Sequence, residues 1–339
     1  MGSELLRVAI AGATSLRGKD LKEWTEESSF PAGEIRLLDE EMAAGTLTEV
    51  AGEPSIVQPV DESSFAGLRF VFFTWSEAFA LRHGPAAERA GATTIDLTGG
   101  LSGAAGARRW IPGLDGLLSP PATHEKAGGR VSLYLTPSAS AIVSCAFSAA
   151  LQAFSPTRLA IVFLYPVSVR GQAGVEELQK QTVNLLSFQS MPQEVFDAQV
   201  AFNLLDRWGP SSGQRLSIMR EALDQEVRSY LAGRAPIPAM TLVQAPIFFG
   251  QAFSVYAEFS EPLDTEAAAA RLEAAGFLTM DGDEPEPSNV SIAGSPQAVI
   301  RQATRDPGVE GGYWFWGVAD NLRVASANAI SIAEKLLAS

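Results

Sequence analysis

The chain has 339 residues, of which 46% are hydrophobic and 19% charged; this fits a folded protein of two domains and excludes a disordered one. Asp and Glu outnumber Lys and Arg by 39 to 25, and the resulting net charge of −14 argues against binding to nucleic acid or to an anionic membrane surface. The single cysteine cannot form an internal disulfide, and no apolar run reaches the roughly 20 unbroken residues of a membrane span. No signal core precedes the first strand, so we expect a cytoplasmic protein.

The first part of the chain alternates strands with helices. Strands are predicted at 6–11, 34–38, 70–73 and 93–97, and helices at 19–27 and 85–90. The strand at 70–73 is apolar throughout, which is typical of a strand buried on both faces. This alternation predicts an α/β domain with a doubly wound parallel sheet.

After Pro137 the pattern becomes less regular. Helices are predicted at 139–154, 175–186, 215–232, 265–275 and 321–337, and strands at 158–165, 240–247 and 254–259. Such a mixture predicts an α+β second domain. We therefore expect a first domain over 1–135 plus 320–339 and a second over 136–319.

A glycine-containing turn joins the first strand to the first helix. Turns of this kind hold a pyrophosphate with backbone N–H groups and the helix N-terminus. The outer glycines of the usual spacing are present, while Ser15 takes the middle position. The candidate cofactor-binding residues in this turn are Gly12, Thr14, Ser15, Leu16 and Gly18. The alternative is a tight turn that binds nothing.

Three carboxylates follow the second strand, beginning with Asp39 and Glu40. A carboxylate at this point accepts a hydrogen bond from a ribose 2′-OH and repels a 2′-phosphate, so NAD is favoured over NADP. The alternative is a solvated cluster of charges. Trp75, just after the third strand, is expected to crowd a nucleotide cleft. We predict no metal, because the chain has two distant histidines, one cysteine and no carboxylates at ligand spacing.

Five ordered segments resemble the aspartate-semialdehyde dehydrogenase family: VAIAGATSLRGKDL, TTIDLTGG, VSVRGQAGVEELQKQT, APIFFGQAFSV and DNLRVASANAISIAEKLL. The resemblance spans nearly the whole chain and indicates a divergent, usg-type branch. It implies a Rossmann-like NAD(P)-binding domain, an α+β dehydrogenase-like dimerisation domain and a homodimer. It also implies a cofactor-binding role for Asn328.

The same resemblance shows where the catalytic residues of the family would stand. The cysteine nucleophile falls on Ala139, and the glutamine that orients the acyl group falls on Tyr165. The arginine that pairs with the substrate carboxylate falls on Gln244, and the catalytic histidine falls on Gln251. Cys145 lies about 9 Å further along the helix, so we expect a buried small side chain rather than a displaced nucleophile.

The positions of the histidines and lysines along the chain lead to the same conclusion. Both histidines, His83 and His124, precede the nucleophile turn, and no lysine occurs between Lys180 and Lys335. A nucleophile and its base act as a unit, so losing either costs on the order of 10⁴ to 10⁶ in rate. We therefore expect the family reaction to be absent.

Three functions remain open. We favour a binding or regulatory role, with a protein partner besides the second copy of the chain. The alternatives are an NAD(P)-dependent oxidoreductase that acts on an aldehyde or oxo group by an altered mechanism, and a purely structural dimer. The dimer interface is expected among the aromatic residues of the second domain: Phe248, Phe249, Phe253, Tyr256, Phe259, Tyr313, Trp314, Phe315 and Trp316.

Overall fold

The computed structural model describes residues 6–50, 52–119, 131–280 and 287–338. Contacts divide these residues into two compact units. The first takes in the described residues up to Pro112, those from Val131 to Pro137 and those from Ala325 onward; the second takes in Gly113 to Ser119 and Ser138 to Val324. The short segment from Gly113 joins the second unit, where Gln152 Nε2 donates to the Leu117 carbonyl at 2.9 Å.

The described residues form seven α-helices and sixteen β-strands. The helices are α1 (Leu16–Glu27), α2 (Glu77–Arg89), α3 (Ala139–Leu151), α4 (Gly171–Leu186), α5 (Leu216–Leu231), α6 (Thr265–Ala274) and α7 (Arg323–Ala338). The strands are β1 (Leu6–Ala11), β2 (Ala32–Asp39), β3 (Leu47–Val50), β4 (Glu53–Ile56), β5 (Gln58–Pro59), β6 (Phe70–Phe73), β7 (Thr93–Asp96), β8 (Arg108–Arg109), β9 (Leu133–Leu135), β10 (Arg158–Tyr165), β11 (Ala239–Gln244), β12 (Gln251–Glu258), β13 (Leu278–Met280), β14 (Val299–Arg301), β15 (Thr304–Arg305) and β16 (Gly312–Ala319).

The first unit contains a parallel sheet in the order β5-β2-β1-β6-β7-β9-β8. Phe70 and Phe72 of β6 pack into one core cluster with residues of α1 and α7. Val71 and Phe73 pack into another cluster with residues of α2. Because successive side chains of a strand point to opposite faces, the apolar run places helices on both sides of the sheet. The predicted α/β architecture is confirmed.

The second unit contains a mixed sheet in the order β11-β10-β12-β16-β14-β13, with β15 paired to β16. β10 is parallel to β11 and antiparallel to β12, so Tyr165 ends β10 directly beside Gln244. The inner face of the sheet packs on α3, where the rings of Phe147 and Phe315 lie 5.1 Å apart. This mixed arrangement of strands and helices agrees with the predicted α+β second domain.

Several elements differ from the sequence prediction, among them α2, β12 and β16. α2 begins at Glu77 rather than at 85 and contains Pro85, because Ser76 caps its N-terminus by accepting from the Phe79 N–H. β12 begins at Gln251 rather than at 254, through pairing with Ala319 of β16. β16 itself was not predicted, since its consecutive aromatic residues do not alternate with polar ones.

Candidate functional site

The turn after β1 requires glycine at two positions. Gly12 has φ +100°, and a Cβ there would lie 2.5 Å from the Trp75 backbone nitrogen. A Cβ on Gly18 would lie 2.2 Å from the Gly12 carbonyl oxygen. The turn therefore keeps the close approach of backbone that phosphate-binding turns of this kind use, and Leu16 begins a helix whose first N–H groups have no intrahelical acceptor.

Ser15 changes how this turn is held together. It is the N-cap residue of α1, its Oγ accepts from the Gly18 N–H at 2.9 Å, and it donates to the Gly12 carbonyl at 2.8 Å. One N–H group of the helix start is therefore already occupied by a side chain. A phosphate at this turn has to use the other N–H groups of the first turn.

Asp39 turns toward the same loop. Its Oδ2 accepts from the Thr14 N–H at 2.8 Å and from the Thr14 hydroxyl at 2.7 Å, and its Oδ1 accepts from the Glu40 N–H at 2.8 Å. Its side chain is 0% exposed, so a ribose reaches the carboxylate only if the surrounding loop opens. Glu40 instead carries the exposed charge at this strand end, paired with Arg82 at 3.1 Å.

Two further residues of the predicted cofactor site, Trp75 and Asn328, make different kinds of contact. Trp75 is 39% exposed and its ring stacks on Phe79 with centroids 6.1 Å apart. Asn328 lies on α7 and its Nδ2 donates to the Trp110 carbonyl at 2.9 Å. The structure thus brings Thr14 and Asp39 together, whereas the described hydrogen bond of Asn328 is made to Trp110, also in the first unit.

The matched catalytic positions lie in the second unit, where α3, β10, β11 and β12 meet. Ala139 is the first residue of α3 and is 5% exposed, so a methyl group stands at the helix start where the family thiol is expected. Cys145 is buried further along the same helix, as predicted. His83 lies in the first unit against Phe79, with ring centroids 4.7 Å apart, and His124 lies outside the described residues.

Tyr165 is connected to Gln251 through Ser140. Ser140 lies close enough to the Tyr165 phenol to lower its pKa slightly, and its Oγ donates to Gln251 Oε1 at 2.8 Å. Burial raises the pKa of Tyr165 well above that of a free phenol, so the side chain stays protonated at neutral pH. Gln251 is 1% exposed and its Nε2 has no hydrogen-bond partner among the described residues.

Gln244 has both of its amide donors, and its oxygen, engaged within the fold. Its Oε1 accepts from the Trp208 indole N–H at 3.2 Å, and its Nε2 donates to the carbonyls of Tyr165 and Ala245, each at 2.9 Å. The residue is 0% exposed. A satisfied, buried amide has no donor left for a substrate carboxylate.

Two residues that contact the matched positions and the start of α3 were not identified from the sequence. Trp208 reaches Gln244 from a distant loop, and Glu226 of α5 accepts from the Ser138 hydroxyl at 2.6 Å. Ser138 is the N-cap residue of α3, so a carboxylate of the protein already lies at this helix start. No local pattern marked either residue, because 36 and 88 positions separate the partners.

Comparisons with known proteins identify the family. Residues 7–107 match the semialdehyde dehydrogenase NAD binding domain, and residues 148–324 match the semialdehyde dehydrogenase dimerisation domain. The chain belongs to the semialdehyde dehydrogenase family. The predicted family is therefore confirmed.

Relatives of this semialdehyde dehydrogenase homologue fall in two groups by name. A "USG-1 protein homolog" of Azotobacter vinelandii is 31% identical, over 99% of this chain and 98% of its own. The "Aspartate-semialdehyde dehydrogenase 2" of Vibrio cholerae is 27% identical, over 99% of this chain and 98% of its own. A solved structure, a probable aspartate-semialdehyde dehydrogenase from Pseudomonas aeruginosa, has a TM-score of 0.87 and 28% identity, and the match covers 98% of this chain and 99% of that one. The predicted usg-type branch agrees with these names.

The aromatic residues of the second unit divide between its core and the outer face of its sheet. Phe253, Phe259, Tyr313 and Phe315 are buried in the core. Tyr256 and Trp314 lie opposite each other on neighbouring strands with ring centroids 4.9 Å apart, and Trp314 is 43% exposed. Trp316 lies on the same face as Trp314, whereas Phe248 and Phe249 are partly exposed in the loop before β12. The outer face therefore carries an aromatic patch, defined as Tyr256, Trp314 and Trp316.

Two absences among the described residues bear on metal and membrane binding. In this part of the chain, no three His, Cys, Asp or Glu residues lie together as a metal site requires. Of the helices described, none combines the length and apolar character needed to cross a membrane.

Proposed function

We propose that this semialdehyde dehydrogenase homologue has lost the reaction of its family and acts as a binding or regulatory partner. The observation that carries the proposal is the chemistry of the four matched positions, which hold a methyl group at Ala139, a protonated phenol at Tyr165 and amides at Gln244 and Gln251. None of these groups is a nucleophile, a base or a cation at neutral pH.

The attack step of the family reaction and the binding of its substrate need the missing groups. The thiolate attacks the aldehyde carbon, hydride passes to the nicotinamide, and phosphate then releases the acyl group. An amide at Gln251 cannot take the proton of a thiol, and Gln244 offers no charge to a substrate carboxylate. The loss of transition-state stabilisation is on the order of 10⁴-fold or more in rate.

A turnover assay tests this proposal. The purified protein is incubated with aspartate semialdehyde, phosphate and either NADP or NAD, beside an active member of the family. We expect no reduction of the cofactor above background. An ordinary enzyme turns over roughly 10 times per second, and a rate within about a hundredfold of that value refutes the proposal.

The match to the NAD binding domain supports a nicotinamide cofactor. We propose NAD rather than NADP, because Asp39 and Glu40 place negative charge at the end of β2, where a 2′-phosphate approaches. Direct titration calorimetry with both dinucleotides tests the choice. Equal or tighter binding of NADP would show that this strand end does not face the ribose.

A second candidate function is an NAD(P)-dependent oxidoreductase that acts on an aldehyde or oxo group by an altered mechanism. It is favoured by the close backbone approach retained at Gly12 and Gly18. Tight dinucleotide binding together with turnover of any aldehyde supports it. Tight binding without turnover supports the binding role, and absence of binding favours the purely structural dimer or a role through a protein partner.

We further propose a homodimer formed through the aromatic patch of the second unit. Tyr256 and Trp314 leave apolar surface open on the sheet face opposite the core, and aromatic residues are enriched at the buried centres of interfaces. An obligate interface of roughly 2,000 Å² or more holds a dimer together at micromolar concentration. Light scattering is expected to give about twice the chain mass of 36.0 kDa, and a clean monomer would exclude this assembly.

A further inference from the structure

The strand order of the first unit's parallel sheet reverses between β1 and β6. Along the sheet, β1 is followed by β2 and β5 on one side, and β6 is followed by β7, β9 and β8 on the other. α1 packs on one face of the sheet and α2 on the opposite face, as such a reversal requires. Doubly wound sheets bind their ligands at this point, in the crevice outside the carboxyl ends of the strands. The turn at Gly12 borders the crevice after β1, and Trp75 borders it after β6.

The backbone of Trp75 is fixed against the glycine turn. A Cβ added to Gly12 would lie 2.5 Å from the Trp75 nitrogen and 2.7 Å from the Trp75 Cβ. The preceding residue, Thr74, donates from its hydroxyl to the Gly12 carbonyl at 2.9 Å, and its own carbonyl accepts from the Ser15 hydroxyl at 3.3 Å. The side chain of Trp75 therefore starts directly beside the turn.

The indole ring of Trp75 is fixed as well. It stacks on Phe79 in the first turn of α2, with an angle of 24° between the ring planes. Phe79 is 2% exposed and is held in turn by the rings of Phe73 and His83. Swinging the indole away means giving up this aromatic contact. The ring therefore stays between the glycine turn and α2, where 39% of the residue is exposed to solvent.

A dinucleotide bound in this crevice has to pass Trp75. The residue that contacts the adenosine ribose ends the second strand, so the adenosine lies on the β2 side of β1, near Asp39. The pyrophosphate lies at the start of α1. The nicotinamide riboside then extends toward the β6 side, where Trp75 stands. The largest side chain of the crevice and the second half of the ligand compete for the same space.

We propose that Trp75 determines which nucleotide the first unit prefers. Its indole obstructs the nicotinamide half of the crevice and lies on the other side of the turn from the adenosine half. The first unit therefore binds NAD no more tightly than ADP, because the nicotinamide riboside gains no favourable contact. A clash of this kind selects between ligands without improving any contact to the preferred one. The inference rests on the proposed NAD site and gives it a preferred ligand class, an adenine nucleotide that ends at its diphosphate.

Titration calorimetry of the full-length protein tests the inference, with ADP and NAD as separate ligands. For the wild type we expect NAD to bind no more tightly than ADP. Trp75→Ala should tighten the binding of NAD by at least about tenfold and change that of ADP by less than about threefold, so ADP also reports that the variant is folded. The matched control is Leu81→Ala, which removes an apolar side chain that is 59% exposed on α2 and should leave both affinities unchanged.

Trp75→Phe provides the test if the alanine variant does not fold, because it keeps an aromatic ring against Phe79 and is smaller than an indole. We expect it to bind NAD more tightly than the wild type. Either variant binding NAD as the wild type does, or more weakly, overturns the inference; weaker binding would mean that the indole stacks on the ligand. Wild-type protein that binds NAD more tightly than ADP overturns it too. If neither the wild type nor the variants bind NAD or ADP, the proposed NAD site fails together with the inference, whereas the turnover assay decides the loss of the family reaction separately.

Discussion

Replacing Gln244 by methionine keeps the length of the side chain and removes its amide. Two buried groups then lose their partners: the Trp208 indole N–H and the Ala245 carbonyl. The Tyr165 carbonyl keeps the hydrogen bond from the Ala245 N–H at 2.9 Å. An unsatisfied buried polar group costs about 1 to 3 kcal/mol, so we expect the free energy of unfolding to fall by roughly 2 to 6 kcal/mol.

Gln251→Met is the matched control for this change. Gln251 is equally buried, but its Nε2 has no partner in the described chain, so the substitution removes an unsatisfied donor. At the same time the Ser140 hydroxyl loses its acceptor. The two effects oppose each other at about 1 to 3 kcal/mol each, and we expect a net change within about 2 kcal/mol.

Equilibrium urea unfolding followed by circular dichroism measures both variants, at one fixed protein concentration because assembly contributes to apparent stability. The expected result is a large drop in the unfolding midpoint for Gln244→Met and a small shift for Gln251→Met. The reasoning is refuted if Gln244→Met unfolds within about 0.5 kcal/mol of the wild type, or if the two variants lose the same stability.

Three further outcomes are expected. The double variant Ala139→Cys, Gln251→His should stay inactive with aspartate semialdehyde, because Gln244 leaves the substrate carboxylate unpaired; restored turnover would show that the missing arginine is dispensable. Burial raises the pKa of Tyr165 in the folded state, so the contribution of its phenol to the free energy of unfolding is complete below the ordinary tyrosine pKa of about 10 and is lost as pH rises above it. In urea unfolding, the wild type should therefore lose more stability than Tyr165→Phe between about pH 8 and about pH 10.5. Trp314→Lys places a charge in the aromatic patch beside Asp306, which accepts from the Trp314 indole at 2.7 Å, and light scattering should then give the monomer mass; a persistent dimer would exclude the patch as the interface.

The residue types at the four matched positions could be read from the sequence, because they depend on residue identity alone. The histidines both precede residue 125, and the positions matched to the nucleophile and base hold alanine and glutamine. The parallel sheet was also predictable, since the apolar run at Phe70–Phe73 and the glycine turn at Gly12 are local patterns. Backbone geometry and side-chain polarity decide such features within a few residues.

Only the tertiary structure decided which partners the residues at the matched positions contact. The partners of Gln244 and Gln251, which are Trp208 and Ser140, lie 36 and 111 positions away. The register of β10, β11 and β12 and the position of α3 bring these side chains together, and no local pattern encodes a contact at that separation. The same holds for the hydrogen bonds of Asp39 to Thr14, 25 positions away, which the sequence did not indicate; the fold buries this carboxylate, and a buried carboxylate must have its hydrogen bonds satisfied.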